Sequence, residues 1–188
     1  PDQLKKAGYS DADIEKAGYT AAELDSAGIK PYTPQNQKTS GVCNVENLKK
    51  ERAKGVLAKT FRDQGCSADA LRRAGYTAGE LKDAGFTAKE LKAAGFSARD
   101  LKNAGFSLKD LKDAGFNAKD LKDAGYSSKQ LLDAGFTPGD LKKAGFTAAE
   151  MKAAGVSADD LKKAGYSAKE LLDAGYSPTE LKSAGFTA

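Results

Sequence analysis

The sequence predicts an all-α solenoid of short ten-residue helix–turn repeats. Three observations carry that prediction. A ten-residue period is closed fifteen times by the dipeptide Ala-Gly. Helix start and stop signals fall at fixed places in each period. A leucine and an aromatic stand five residues apart, spaced to share one thin core. A fixed short period is the mark of one small unit stacked on itself, in which each unit touches mainly its neighbours. Such a chain leaves little sequence free for a unique site.

The decad Thr87–Phe96 (T-A-K-E-L-K-A-A-G-F) shows the logic. Thr87 is the expected N-cap and Glu90, three residues on, completes a capping box. Ser97 with Asp100, Ser107 with Asp110 and Thr147 with Glu150 repeat the spacing. Pro138 and Pro178 each follow a cap residue, at the first helical position where proline is favoured. Phe86 before the cap and Leu91 within the helix are the two partners of a hydrophobic staple. Gly95 stands just past the helix, where a left-handed residue is wanted, and Phe96 is placed to contact Leu91. One aromatic thus ends one helix and begins the next. A helix of about seven residues is about 10 Å long and does not form alone, because isolated helices below about 12–15 residues are marginal. Leu91 and Ala94 share a face, and burying each Leu or Phe contributes roughly 1.5–3 kcal/mol.

The alternative fold is a right-handed β-helix of the pentapeptide-repeat type. Phe86, Leu91, Phe96 and Leu101 do alternate every five residues. Such a coil needs a small inward residue two before each central one. Before the aromatics that residue is Ala, but before the leucines it is Lys89, Arg99, Lys109, Lys119 or Lys129. An unpaired buried charge is costly, so half of the pattern fails.

Taken in order, residues 1–29 hold three decads around Leu4, Ile14 and Leu24. Residues 30–65 form a divergent insert. Its first part, Lys30-Pro31-Tyr32-Thr33-Pro34-Gln35-Asn36-Gln37 and on to Gly41, is polar, lacks the repeat and reads as a loop, a candidate partner-binding segment. Asn44 is the expected cap of a longer helix running to Gly55. The decad 56–65 then keeps its length but puts Phe61 where leucine belongs. Residues 66–188 are a regular array. Because Pro1 and Ala188 both fall inside the repeat, the chain reads as a segment of a longer protein.

Cys43 and Cys66 both replace the aromatic that precedes a cap, so both should point inward. Two readings stay open: small buried hydrophobes, or a disulfide between stacked repeats. A disulfide would close a loop of about 23 residues, contribute about 3 kcal/mol in the entropy model and imply an oxidising compartment. Two thiols without histidine fall short of a usual zinc set, and no metal or cofactor is expected.

Composition narrows function further. Thirty basic and 26 acidic residues leave a net charge of +4 with the signs interleaved, which is not the basic face of a nucleic-acid binder. No apolar run approaches the roughly 20 residues that span a bilayer, so no membrane insertion is expected of this segment. The absence of His removes the commonest general base. Hydroxyls, carboxylates and lysines each have a structural role: as caps, as capping-box partners and on the solvated outer face. No catalytic residue is assigned and no enzymatic activity is expected.

The recurring A-G-[FY]-[ST]-A-x-[ED]-L-K unit, interrupted by a cysteine-bearing segment, resembles the central decapeptide-repeat region of the DotG (IcmE) family of the Dot/Icm type IV secretion system. The resemblance covers nearly the whole chain. It implies a periplasmic segment of an envelope-spanning secretion channel, a structural spacer or scaffold between inner and outer membranes. It implies as partners other components of that machine and, in a ring-like assembly, further copies of itself. A periplasmic setting fits the disulfide reading of Cys43 and Cys66. The alternative is a protein-binding module that docks a machine component through the insert or a repeated face. A third reading is ice binding by a hydroxyl ladder, which the use of those hydroxyls as caps disfavours.

Overall fold

The computed structural model describes residues 41–187. The decads expected within 1–29 and the loop expected over Lys30–Gly41, save Gly41 itself, lie outside the described residues. The chain divides into two compact units at Gly85/Phe86. The described part of the first unit contains α1 (Val45–Ala53), α2 (Ala58–Asp63), α3 (Ala68–Arg73) and α4 (Ala78–Asp83). The second contains α5 (Ala88–Ala93), α6 (Ala98–Asn103), α7 (Leu108–Asp113), α8 (Ala118–Asp123), α9 (Ser128–Asp133), α10 (Pro138–Lys143), α11 (Ala148–Ala153), α12 (Ala158–Lys163), α13 (Ala168–Asp173) and α14 (Pro178–Ser183). Among the described residues there is no strand, which excludes the β-helix for them. Lys89, Arg99, Lys109, Lys119 and Lys129, whose charge argued against an inward place, are exposed.

Each regular helix is six residues long, one shorter than its signals suggest, and both ends are closed by local bonds. At α5 the Thr87 hydroxyl accepts from the Glu90 N–H at 3.2 Å, and the Glu90 carboxylate accepts from the Thr87 N–H at 2.7 Å. The box also forms with aspartate, as between Ser97 and Asp100, and with glutamine, between Ser127 and Gln130. At the other end Gly95 takes φ +89. Its N–H bonds to the Lys92 carbonyl at 2.9 Å, and the Phe96 N–H reaches back to the Leu91 carbonyl at 3.0 Å. That pair of bonds is the Schellman arrangement, which turns the chain and satisfies two of the last carbonyls.

The core is thin and nearly continuous within each unit. Among the described residues eleven leucines, including Leu71, Leu91 and Leu121, are wholly buried. Around them lie buried alanines such as Ala88 and Ala94 and rings such as Tyr76 and Phe116. Alanine at both ends of the helix permits close approach. Within each unit, helices pack against the next helix and against the helix two along: α5 against α6 and α7, α8 against α9 and α10, and, in the first unit, α1 and α4 against α3. Two decads therefore make one coil of the solenoid, a number that the repeat period alone does not supply.

The aromatic positions record this stacking directly. The Tyr76 hydroxyl donates to the Val56 carbonyl at 2.7 Å, and the Tyr166 hydroxyl to the Phe146 carbonyl at 2.6 Å, each partner twenty residues earlier. Burial pushes the Tyr166 phenol up to about 12. Where a serine replaces alanine at the start of α9, Ser128 is buried and its hydroxyl donates to the Glu150 carbonyl at 2.8 Å.

Candidate functional site

The broken repeat is the candidate site, because there the ten-residue period itself is interrupted. Helix α1 has nine residues against six in α2, and Asn44 caps it by accepting from the Glu46 N–H at 2.9 Å. Three extra residues shift the coil register from twenty to twenty-three. Cys43 and Cys66, separated by 23 residues, are joined in a disulfide with Cα atoms 5.3 Å apart. The cysteines occupy the place that an aromatic pair holds in the regular array, and both are buried. The bond ties one end of a coil to the other and lies within the first unit.

The same three-residue shift selects the cation that locks this coil. Arg52, one helical turn beyond Lys49, lies over the Tyr76 ring at 5.3 Å and meets the Glu80 carboxylate at 3.4 Å. Lys49 instead pairs with Glu46 at 2.9 Å. Arg52 Nε is a buried donor with no partner among the described residues. Burial pushes Glu80 up, but the Thr77 N–H and hydroxyl and the Arg52 guanidinium outweigh it and hold the carboxyl below its ordinary value. Arg62 makes a related contact, donating to the Ala84 carbonyl at 2.9 Å.

Leu57 stands where the regular decads put a capping hydroxyl. It makes no cap bond and is 74% exposed. It borders a groove of about 420 Å³ that Arg52, Val56, Ala58, Glu80 and Asp83 also line. The proposed partner-binding residues Lys30, Pro31, Tyr32, Thr33, Pro34, Gln35, Asn36 and Gln37 lie outside the described residues.

In the second unit the lysines after the core leucine form a ladder that corrects the expectation of a merely solvated face. Lys92 donates to the Gly115 carbonyl at 2.5 Å and lies 4.8 Å from the Phe116 ring centre. Lys102 reaches the carbonyls of Ala124 at 3.1 Å and Gly125 at 3.0 Å, over the Tyr126 ring. Lys112, Lys122, Lys142, Lys152 and Lys162 repeat the contact on the coil that follows. Lys122 and Lys142 also meet the capping-box carboxylates of Glu150 at 3.7 Å and Glu170 at 3.8 Å. Each ammonium sits on the last carbonyls of a helix, where a positive charge suits the dipole, and on the face of a ring. Glycine is favoured beneath it by the positive φ, +87 at Gly115 and +82 at Gly135, and a Cβ there would also stand 3.3 or 3.1 Å from the lysine Nζ. The lysines at the second helical position, such as Lys109 and Lys119, are outward, pairing with Asp113 and Asp123 one turn on, and so is Lys163 at a helix end, paired with Asp159. The ladder's signal was present in the sequence as an aromatic 24 residues after each such lysine, but it has meaning only once two decads make a coil.

The arrangement supplies a stack whose capping hydroxyls, carboxylates and inner lysines bond to the stack itself. The Thr87 hydroxyl, for example, both accepts from the Glu90 N–H and bonds the Glu90 carboxylate at 2.7 Å. No described helix is long and apolar enough to cross a membrane. No curated protein and no solved structure matches the chain significantly. The decapeptide repeat region family matches residues 55–128 and again 115–188, well over half of the chain in all. With its capped decads, glycine ends and two-decad coils, the chain belongs to the decapeptide-repeat family and is a structural repeat module.

Proposed function

We propose that this chain is a spacer: the periplasmic segment of a type IV secretion channel, holding a fixed distance between machinery of the inner and outer membranes and working beside other channel components and further copies of itself. The observation that carries the reading is that the decad's polar groups are used within the stack, so that the property left to vary is length. The disulfide between Cys43 and Cys66 supports an oxidising compartment, and the resemblance of the repeat to the DotG (IcmE) central region supplies the machine. The test is secretion of a reporter through a channel whose residues 97–116, one coil, are replaced by two copies of Thr87–Phe96. A spacer tolerates the exchange, and loses function only as whole coils are deleted and the span becomes too short. Loss of secretion on the like-for-like exchange overturns the reading.

A second reading, a docking module in the insert, is favoured by exposed Leu57 and its groove. Leu57→Ser separates the two. Serine restores the missing N-cap, which contributes about 1 kcal/mol, so the variant is more stable than the parent under either reading. Assembly with the secretion machine then survives in a spacer and fails in a docking module.

A further inference from the structure

We infer that the coil running from α9 to the end of α11 is a built-in seam, at which the second unit opens before it opens anywhere else between its ends. Three departures from the decad meet there. Leu132 replaces the ladder lysine, and Val156, twenty-four residues on, replaces the ring that such a lysine would cover. Met151, the chain's one methionine, replaces the core leucine between them. The slot above Gly155 is correspondingly open: a Cβ there would meet nothing within 4 Å, whereas Gly145 and Gly165 have the ammonium of Lys122 and Lys142 at 4.0 and 3.7 Å.

The coil has one contact of its own, and that contact works against the helix beneath it. Ser128 donates to the Glu150 carbonyl at 2.8 Å. In neighbouring decads the equivalent carbonyl is the acceptor that closes the helix: Ala144 bonds Asp140, and Ala164 bonds Asp160, each at 2.9 Å. Here the Ala154 N–H is shared between Glu150 at 3.2 Å and Met151 at 3.1 Å. A neutral hydroxyl bond stands in place of a charge-assisted one, which is roughly twice as strong. Methionine adapts to a gap more readily than leucine and so specifies the packing less. In a quasi-one-dimensional stack, stability is a sum of neighbour terms, so one weakened interface localises sub-global opening. In a spacer under load the seam would yield first, though the inference does not depend on the spacer reading.

Hydrogen exchange followed by mass spectrometry on the full oxidised chain tests it without load or secretion. The expected result is that the amides of Ala154, Gly155 and Val156 exchange about tenfold faster than the matching Ala144, Gly145, Phe146 and Ala164, Gly165, Tyr166. Equal protection across the three sets overturns the seam. The double variant Leu132→Lys with Val156→Phe installs residues used throughout the array, so folding is preserved, and it should bring the three sets level. A difference that persists in that variant also overturns the inference.

Discussion

The two units use the same decad and hold it in different ways. In the second unit coil after coil is closed by a lysine on helix-end carbonyls and a ring, as at Lys92, Lys102, Lys112 and Lys122, with the coil that begins at Leu132 as the exception. Its stability is a sum of many similar small terms. In the first, one helix is three residues longer, a cap is missing at Leu57, and the coil is closed by a disulfide and by Arg52. A single strong link there takes over where the regular terms are interrupted. The lesson is that a periodic stack tolerates a break in register if the break carries its own closure.

The largest effect should come from what the units share. Truncating a wholly buried leucine, Leu71→Ala in the first unit or Leu121→Ala in the second, should cost about 2–5 kcal/mol in denaturant unfolding. If the cost is local, hydrogen exchange should rise only in the coils touching the site. Loss of protection across both units would show that the chain behaves as one cooperative body.

The disulfide should separate the units most cleanly. Replacing both cysteines by serine, or adding reductant, should destabilise the first unit by about 3 kcal/mol in the entropy model. Protection in the coils of the second unit should be unchanged. An equal loss in both would break the comparison.

Acid should act on both through their capping boxes. The backbone N–H and hydroxyl of Ser167 hold Glu170 below its ordinary value, and those of Ser177 do the same for Glu180. Burial pushes Glu150 up, but Thr147 and Lys122 outweigh it and the net effect is again downward. A carboxyl with a lowered folded value contributes stability that is fully present above the unfolded value, about 4.3, and is lost as pH falls through the folded value. Helicity by circular dichroism should therefore hold at neutral pH and fall below about pH 4. Thr147→Ala should cost about 1 kcal/mol and flatten that acid dependence around α11.

The smallest effect should come from a single rung. Lys122→Met keeps the apolar stem and removes the ammonium from the Gly145 carbonyl, the Phe146 ring and Glu150. A loss of about 0.5–1 kcal/mol is expected, screened further by salt only for the Glu150 part. Arg52→Met in the first unit should cost more in reduced than in oxidised protein, because the disulfide already closes the same coil. Equal costs would mean that the two closures act independently.

The helices were legible residue by residue because their causes are local. Thr87 with Glu90, Gly95 with Lys92 and Phe96 with Leu91 are bonded over three to five residues, and propensity, capping and glycine conformation act over that range. The insert was legible as a break, and Asn44 as its cap, for the same reason. The cysteines were legible as inward residues, but their pairing needed the coil length. The ladder was not legible, because Lys92 and Phe116 are adjacent only when helix packs on helix two decads on. A ten-residue period is compatible with several numbers of helices per coil. Local hydrogen bonding and burial period set the elements and their ends. Packing of Ala, Leu and aromatic side chains set two decads per coil, and from that followed which lysine meets which ring, why Arg52 rather than Lys49 closes the first unit, and why Cys43 finds Cys66.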